Sequence, residues 1–264
     1  GGEGTEANPY LIANAKQFNK IGEKQEYWNK DKHFKLINDI NLSGVSLNKI
    51  GTESYPFQGT IDGNYHSIKN LKINSFPVPE NASMYIGFLS YLGEGGKVRN
   101  LTLNNCAIQI QSSFTESASK CYAGILVGKS YGEIDNCHII NSTIEIKSAK
   151  TNKPEEWQSL ICIGGLVGQQ GNKGFIKTSE VKNVQITTST VNIQNSAVGG
   201  LIGSKESAPN EKIERCSVVK TNVSVTSEVN KGNVKGDGKT IIRNYIGGFV
   251  GDTMGQGTTY SNCF

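Results

Sequence analysis

A set of short β-type elements recurs along this chain at intervals of tens of residues. The clearest copies of the first element are Ile163-Gly-Gly165-Leu-Val-Gly168, Val198-Gly-Gly200-Leu-Ile-Gly203 and Ile246-Gly-Gly248-Phe-Val-Gly251, with variants at 85–90 and 122–128. A second element of the form Ile-x-Asn follows at 98–101, 134–137, 181–184, 213–216 and 260–263, and at 68–71 in a divergent copy. A third follows in four copies, at 108–110, 144–146, 191–193 and 223–225. Self-similarity at such a period is typical of a solenoid.

The repeats predict an all-β fold. Each holds three β-type elements with no helical pattern between them, which favours a right-handed parallel β-helix with three strands per turn of chain, stacked about 4.8 Å apart. The 31 glycines and the modest hydrophobic fraction of 36% suit a core only one strand layer wide.

An asparagine recurs inside the second element. If Ile134 and Cys137 both point inward, their odd separation requires one residue to break the strand alternation, and Asn136 tolerates the left-handed conformation that does so. The sequence therefore predicts one internal ladder of hydrogen-bonded amides, formed by Asn70, Asn100, Asn136, Asn183 and Asn262. The alternative is a set of unrelated turn asparagines.

The N-terminal region differs from the repeats. Asn14 with Gln17 resembles a capping box, and Leu11, Phe18 and Ile21 would share one face of a short helix that plugs the open end of the coil. We expect a single domain over 1–264, with a cap region at 1–32 and repeats at 33–264, as part of a longer protein.

Two features of the repeats have open interpretations. The Gly-Gly pair either permits a tight corner or lines a groove. Insertions at 111–120, 149–160 and 227–242 predict a ridge of stacked loops, which is often a binding face, and a further loop is expected at 169–179. Candidate ligand contacts on the ridge are Phe114, Lys150, Lys153, Trp157, Lys231, Lys235 and Lys239. Trp157 either contacts ligand or folds back over the coil.

The motifs resemble those of a known group. The Gly-Leu-x-Gly element at 165–168 and 200–203, the Ile-x-Asn-Cys element, and the opening 4–12, 34–42 and 57–63 segments are similar to the GLUG-repeat family. Ser90 and Arg215 depart from its pattern. The resemblance implies a parallel β-helix in bacterial exported proteins, including adhesin-like proteins and the N-terminal regions of some immunoglobulin-A-cleaving metallopeptidases. It implies no catalytic residue.

The six cysteines do not form a zinc or redox motif, because none stands in Cys-x-x-Cys. Cys137, Cys216 and Cys263 share a repeat position with aliphatic residues and are expected to be buried. Cys121 and Cys162 lie three residues before the aligned glycine of consecutive repeats. They would stack as free thiols or form a disulfide.

The sequence gives little support for catalysis, a metal or a cofactor. It lacks His-Glu-x-x-His, and His138 is expected to face solvent. The outward column Arg99, Asp135, Lys182, Glu214 and Ser261 separates its acids by a lysine, and the column Gln109, Glu145, Asn192 and Ser224 is poor in acids. No cluster of outward acids of the kind that β-helical glycan hydrolases or lyases need is therefore expected.

Net charge and the length of the apolar runs limit the classes of partner that this chain can be expected to bind. The net charge of +4 gives no strong case for nucleic acid, and no apolar run reaches the roughly 20 residues of a membrane span. We expect a monomeric, extracellular or cell-surface module that binds a glycan or host protein without turnover. The alternatives are a spacer of a larger surface protein or peptidase and, less favoured, a polysaccharide lyase or hydrolase.

Overall fold

A computed structural model describes residues 1–74, 83–114, 120–150, 159–191, 193, 195–206, 212–228, 243–254 and 259–264. These residues form an all-β protein with three parallel sheets, one short α-helix and two 3-10 turns. Within them, no helix has the length and apolar character needed to cross a membrane.

The largest sheet has 15 strands arranged in three columns. Strands are numbered in chain order. The first column contains β1 (Tyr10–Ile12), β2 (His33–Leu36), β4 (Thr60–Asp62), the start of β9 (Lys97–Asn104), the start of β13 (Glu133–Lys150), β16 (Phe175–Lys177), β20 (Lys212–Glu214) and β25 (Thr259–Ser261). The second contains β3 (Ile40–Asn41), β5 (Ser67–Lys69), the next parts of β9 and β13, the start of β17 (Glu180–Val191) and β21 (Ser217–Val219). The third contains β6 (Lys72–Asn74), β10 (Ala107–Phe114), the ends of β13 and β17, and β22 (Asn222–Glu228).

Two smaller sheets of five strands each complete the repeat. One contains β7 (Ser83–Ile86), β11 (Lys120–Gly124), β14 (Leu160–Gly164), β18 (Asn195–Gly199) and β23 (Arg243–Gly247). The other contains β8 (Leu89–Leu92), β12 (Val127–Ser130), β15 (Val167–Gln170), β19 (Ile202–Glu206) and β24 (Val250–Met254).

Each strand pairs in parallel with its counterpart one repeat later. In the first column, Val98, Ile134, Ile176, Ile213 and Tyr260 are successive partners. The first four are buried and belong to one continuous hydrophobic core. Burial of these aligned aliphatic side chains is the main favourable term that holds the repeats together.

The number of strand elements differs from the expectation. Three sheets are present, but the 15-stranded sheet turns at two bends in each repeat, so a full repeat has five short segments rather than three. The predicted loop at 169–179 is also wrong, because it contains the end of β15 and all of β16.

The predicted asparagine ladder is two ladders. Asn100 and Asn136 lie at a first bend, whose successive positions are Asn100, Asn136, Thr178, Arg215 and Asn262, all with positive φ. Asn70 and Asn183 lie at a second bend, formed by Asn70, Asn105, Asn141, Asn183 and Lys220, also with positive φ. The sequence alignment shifted Asn183 because Thr178 occupies the asparagine position of the first bend in that repeat.

The same shift changes two predicted columns. Lys177, and not Lys182, lies between Asp135 and Glu214. The partner of Glu145 is Thr187, whereas Asn192 lies outside the described residues.

The cysteine register also differs from the expectation. Cys121 pairs with Ile161, and Cys162 pairs with Tyr122. Because neighbouring residues of a strand point to opposite faces, Cys121 packs in the main core and Cys162 in a separate cluster of tyrosines. Both thiols are free and buried, but they do not stack. The one-residue error came from aligning Gly124 with Gly165 instead of Gly164.

The N-terminal helix forms as predicted, over Ala15–Asn19. Asn14 Oδ1 accepts a hydrogen bond from Gln17 N at 3.0 Å, and Gln17 Oε1 accepts one from Ala13 N at 2.7 Å. Phe18 is fully buried and stacks on Phe88, with 4.6 Å between ring centroids. Leu11 was predicted to share this face, but it lies in β1 and is exposed.

Candidate binding groove

The segment between the two bends shapes a groove on the outer surface. The residues at the bends have φ of about 50–60°, a left-handed conformation that asparagine tolerates better than most side chains. The segments that they enclose are short and stack in register across four repeats. The groove, which we call the bend groove, has a volume of about 640 Å³ and is lined by Thr102, His138, Ile140, Asn141, Glu180, Lys182, Asn183 and Lys220.

Side-chain amides connect the repeats at both bends. At the first, Asn136 Nδ2 donates to Asn100 Oδ1 at 2.9 Å. At the second, Asn183 Nδ2 donates to Asn141 Oδ1 at 2.7 Å, and Asn105 Nδ2 to Asn70 Oδ1 at 2.7 Å. Amides therefore hydrogen-bond between repeats at both bends, and the Asn183–Asn141 contact lies in the lining of the bend groove.

At the first bend, the residue directly after the bend residue has a thiol or a hydroxyl that contacts the backbone carbonyl oxygen two residues earlier. The Cys137 thiol lies 3.5 Å from the Asp135 carbonyl oxygen, and the Cys216 thiol lies 3.3 Å from that of Glu214. Ser179 takes the equivalent position in the repeat between them and donates to the Lys177 carbonyl at 2.8 Å. The Asn-Cys motif is therefore part of the bend. The signal in the sequence that could have shown this is a Cys or Ser directly after the bend residue, as in Cys137, Ser179 and Cys216.

The bend groove carries titratable side chains on its floor. His138 is half-buried, and its Nε2 lies 3.0 Å from Asn136 Oδ1. Burial lowers the pKa of His138, while the neighbouring carboxylate of Glu180 opposes this shift. Glu180 Oε1 also accepts a hydrogen bond from the Ser217 hydroxyl at 3.4 Å. The expectation of an outward-facing His138 is thus met, although the ring is only partly exposed.

Lys182 and Lys220 line the bend groove from two consecutive repeats. Lys182 pairs in the sheet with Val219, so the adjacent repeat places Lys220 beside Asn183. Both lysines are exposed. Among the described residues, neither ammonium group has an ion pair or hydrogen bond. The sequence analysis did not select Lys182 or Lys220 as a ligand contact, because its alignment put Lys182 in the column of Asp135 and Glu214.

Charges in the first column are arranged differently, since cations and anions alternate there and neutralise one another. Arg99 Nε lies 3.0 Å from Asp62 Oδ2. Lys177 Nζ lies 3.4 Å from both Asp135 Oδ2 and Glu133 Oε1. These acids are therefore committed to ion pairs within the sheet.

A second polar feature, the tyrosine cluster, lies between the two smaller sheets. It contains Tyr85, Tyr91, Tyr122, Cys162 and Ala197, with Tyr131 at its margin. Lys129 Nζ lies 5.4 Å from the Tyr122 ring centroid and 5.2 Å from that of Tyr131, a cation–π arrangement. Glu206 pairs with Lys129 at 3.0 Å and accepts from the Tyr131 hydroxyl.

The tyrosine cluster is closed rather than ready for a ligand. Lys129 and three of the tyrosines are less than a tenth exposed, and Lys129 itself fills the cationic position that a ligand would need. We interpret it as a structural contact that connects four repeats.

The side chains of the predicted loop ridge lie outside the described residues. Phe114 and Lys150 end strands β10 and β13, but their side chains lie outside the described residues. The other predicted contacts, Lys153, Trp157, Lys231, Lys235 and Lys239, lie outside them entirely. In the described part of the chain, no group of three or more His, Cys, Asp or Glu side chains is placed to hold a metal ion.

Sequence comparison finds two relatives of much greater length. No family model matches the chain. It is 34% identical over 145 residues to a protein of Evansella cellulosilytica named "Putative Gly-rich membrane protein", covering 53% of this chain and 15% of that protein. It is 27% identical over 187 residues to halomucin of Haloquadratum walsbyi, covering 67% of this chain and 2% of that protein.

Structural comparison finds one similar crystal structure, that of a "putative immunoglobulin A1 protease" from Bacteroides ovatus. The match has a TM-score of 0.52 at 18% identity and covers 99% of this chain and 76% of that one. At this identity the likeness concerns the fold. Nearly the whole of this chain is thus similar in fold to about three quarters of that structure.

Proposed function

We propose that the chain is a non-catalytic, right-handed parallel β-helix module of a secreted or cell-surface bacterial protein that binds a glycan or a host protein. The observation that carries the proposal is the in-register parallel pairing of every outward column through successive repeats. Such pairing gives a stiff surface with side chains repeated about every 4.8 Å. The right-handed sense follows from the strong preference of parallel connections for that hand, about 98%.

The comparisons support a place at the cell surface. The relatives are named "Putative Gly-rich membrane protein" and "Halomucin", and the similar structure is named as that of a "putative immunoglobulin A1 protease". These names fit the exported proteins in which GLUG-like repeats are expected, and membership of that family is part of the same proposal.

The absence of catalysis is also a proposal. Carboxylates that act as general acid or base, or as nucleophile, must be free to exchange protons or attack substrate. In the first column, Asp62, Glu133 and Asp135 each pair with a lysine or arginine within 3.4 Å. That commitment to ion pairs supports a binding role over hydrolysis or lyase chemistry.

A spacer role is the second candidate, and one observation favours it. The matched segments are 15% and 2% of the lengths of the curated relatives, so similar repeats occur in much longer chains. A spacer would hold another domain at a distance without binding any ligand.

One experiment separates these roles. The purified chain is immobilised and exposed to neutral and acidic polysaccharides and to extracellular host proteins, and both retention and release of sugar products are measured. Retention without product supports a binding module. Product formation would establish an enzyme, and the absence of retention on every probe would favour the spacer.

A further inference from the structure

We propose that the bend groove binds a linear acidic glycan along the stacking direction, with Lys182 and Lys220 holding its anionic groups. This inference rests on the proposed binding function and names the ligand class and the site.

The first argument is charge. Lys182 and Lys220 line the bend groove from consecutive repeats, and both are exposed and without a carboxylate partner among the described residues, whereas cations in the neighbouring first column are paired. Glu180 is the opposing charge within the groove, and it accepts the Ser217 hydroxyl. Two unpaired ammonium groups against one carboxylate leave the groove cationic, which favours a carboxylated or sulfated ligand.

The second argument is hydrogen bonding. Each ladder amide nitrogen has two hydrogens, and Asn141 and Asn183 use one of them between repeats. These two asparagines line the same groove, together with Thr102 and His138. Ile140 adds a half-buried apolar patch. This mixture of polar groups and a small apolar surface suits the hydroxyl groups and C–H faces of sugars.

The third argument is periodicity. Thr102, His138 and Glu180 are successive partners in three repeats, so equivalent positions, each with a polar side chain, recur at about 4.8 Å. This spacing is close to the length of one sugar residue in an extended polysaccharide. A linear glycan that lies along the stack would therefore meet one repeat per sugar, whereas a folded protein has no reason to match this period.

The test uses the full chain with Lys182→Gln and Lys220→Gln combined. The matched control combines Lys30→Gln and Lys49→Gln, which remove the same charge from exposed positions outside the groove. Binding to a polyuronate, a sulfated glycan and neutral dextran is measured by titration calorimetry at several salt concentrations.

We expect the groove variant to bind the acidic glycan at least about tenfold more weakly, because charge-assisted contacts are lost. The control should retain its affinity, and dextran should bind weakly or not at all. Preference between the polyuronate and the sulfated glycan identifies the anionic group.

Three results would overturn the inference. They are equal loss in both variants, unchanged binding in the groove variant, or tighter binding of dextran than of the acidic glycans. Each of these still leaves a glycan-binding module. Failure of every probe to bind the unmodified chain would instead overturn the proposed function along with the site.

Discussion

Residues in the left-handed conformation define where each repeat turns. Within the described part of the chain, twelve non-glycine residues have positive φ, and eight of them are asparagine. The asparagine amide serves two purposes at these bends, because it tolerates the conformation and also hydrogen-bonds to the next repeat. The five-residue spacing of Asn136 and Asn141 is repeated by Thr178 and Asn183, so the bends keep their register even where asparagine is replaced.

Replacing Asn136 separates these two contributions. We expect Asn136→Ala to lower the free energy of unfolding by about 2–3 kcal/mol, from left-handed strain and the lost amide hydrogen bond to Asn100. Asn136→Gly relieves the strain and should cost about 1 kcal/mol less than the alanine variant. Urea unfolding monitored by circular dichroism measures both, and equal losses would show that backbone strain is not involved.

The residue after the bend offers a second prediction. Because Ser179 occupies the position equivalent to Cys137 and makes the same bond to a carbonyl two residues earlier, Cys137→Ser should retain that contact. Cys137→Ala removes it, and we expect the alanine variant to be less stable than the serine variant by about 1 kcal/mol. Urea midpoints of the two proteins provide the measurement. A serine variant less stable than the alanine one would contradict a bend-closing role.

At the scale of elements, the two smaller sheets meet through backbone glycines. A Cβ on Gly168 would lie 2.5 Å from both Ala123 N and Gly128 O. A Cβ on Gly200 would lie 2.1 Å from the Gly248 carbonyl oxygen of the next repeat. The Gly-Gly pair therefore permits close backbone approach at a corner, and the alternative of a glycine-lined ligand groove has no support at these positions.

Gly200 and Gly248 make a matched pair for testing this corner. They occupy the same position in consecutive repeats, but a Cβ on Gly248 would meet no atom within 4 Å. We expect Gly200→Ala to lower the thermal midpoint strongly, or to prevent folding, since backbone must move to admit the methyl group. Gly248→Ala should have little effect. Similar midpoints for the two variants, measured by calorimetry, would argue against the tight corner.

At the scale of the whole molecule, one core runs through the described repeats and contains buried thiols. Burial raises the pKa of Cys121, Cys137 and Cys216 to about 12 and that of Cys106 to about 11, from 9.0. Unfolded thiols ionise near 9.0, while the native ones stay protonated. Their contribution to stability is thus complete below pH 9 and is lost as the pH rises toward 11–12.

We therefore expect the free energy of unfolding to fall steeply above pH 9, by up to about 1.4 kcal/mol per pH unit for each such thiol. Lys205 acts in the opposite direction, because burial lowers its pKa to about 8, but it is one group against five thiols, since burial also raises the pKa of Cys162. Urea midpoints between pH 7.5 and 10.5 provide the measurement. Cys121→Val should show a shallower decline, and an unchanged slope would contradict the assignment to buried thiols.

The sequence by itself determined the all-β class, the period of the repeats, the capping of the first helix and the presence of amide ladders. Those features follow from local rules: β-branched alternation, a side chain that caps a helix, and a residue that tolerates positive φ. Short stretches of chain, together with their recurrence at a fixed period, carry the information that these features need.

Only the tertiary structure decided the register between repeats. Ile-x-Asn occurs at both bends, so the pattern alone could not assign Asn183 to the second bend or separate Cys121 from Cys162. A shift of one residue reverses the face of every side chain in a strand, and only the hydrogen-bonded pairing of whole strands resolves it. The bend groove depends on the same register. Lys182, Lys220 and Glu180 belong to one surface only because the repeats pair in this way.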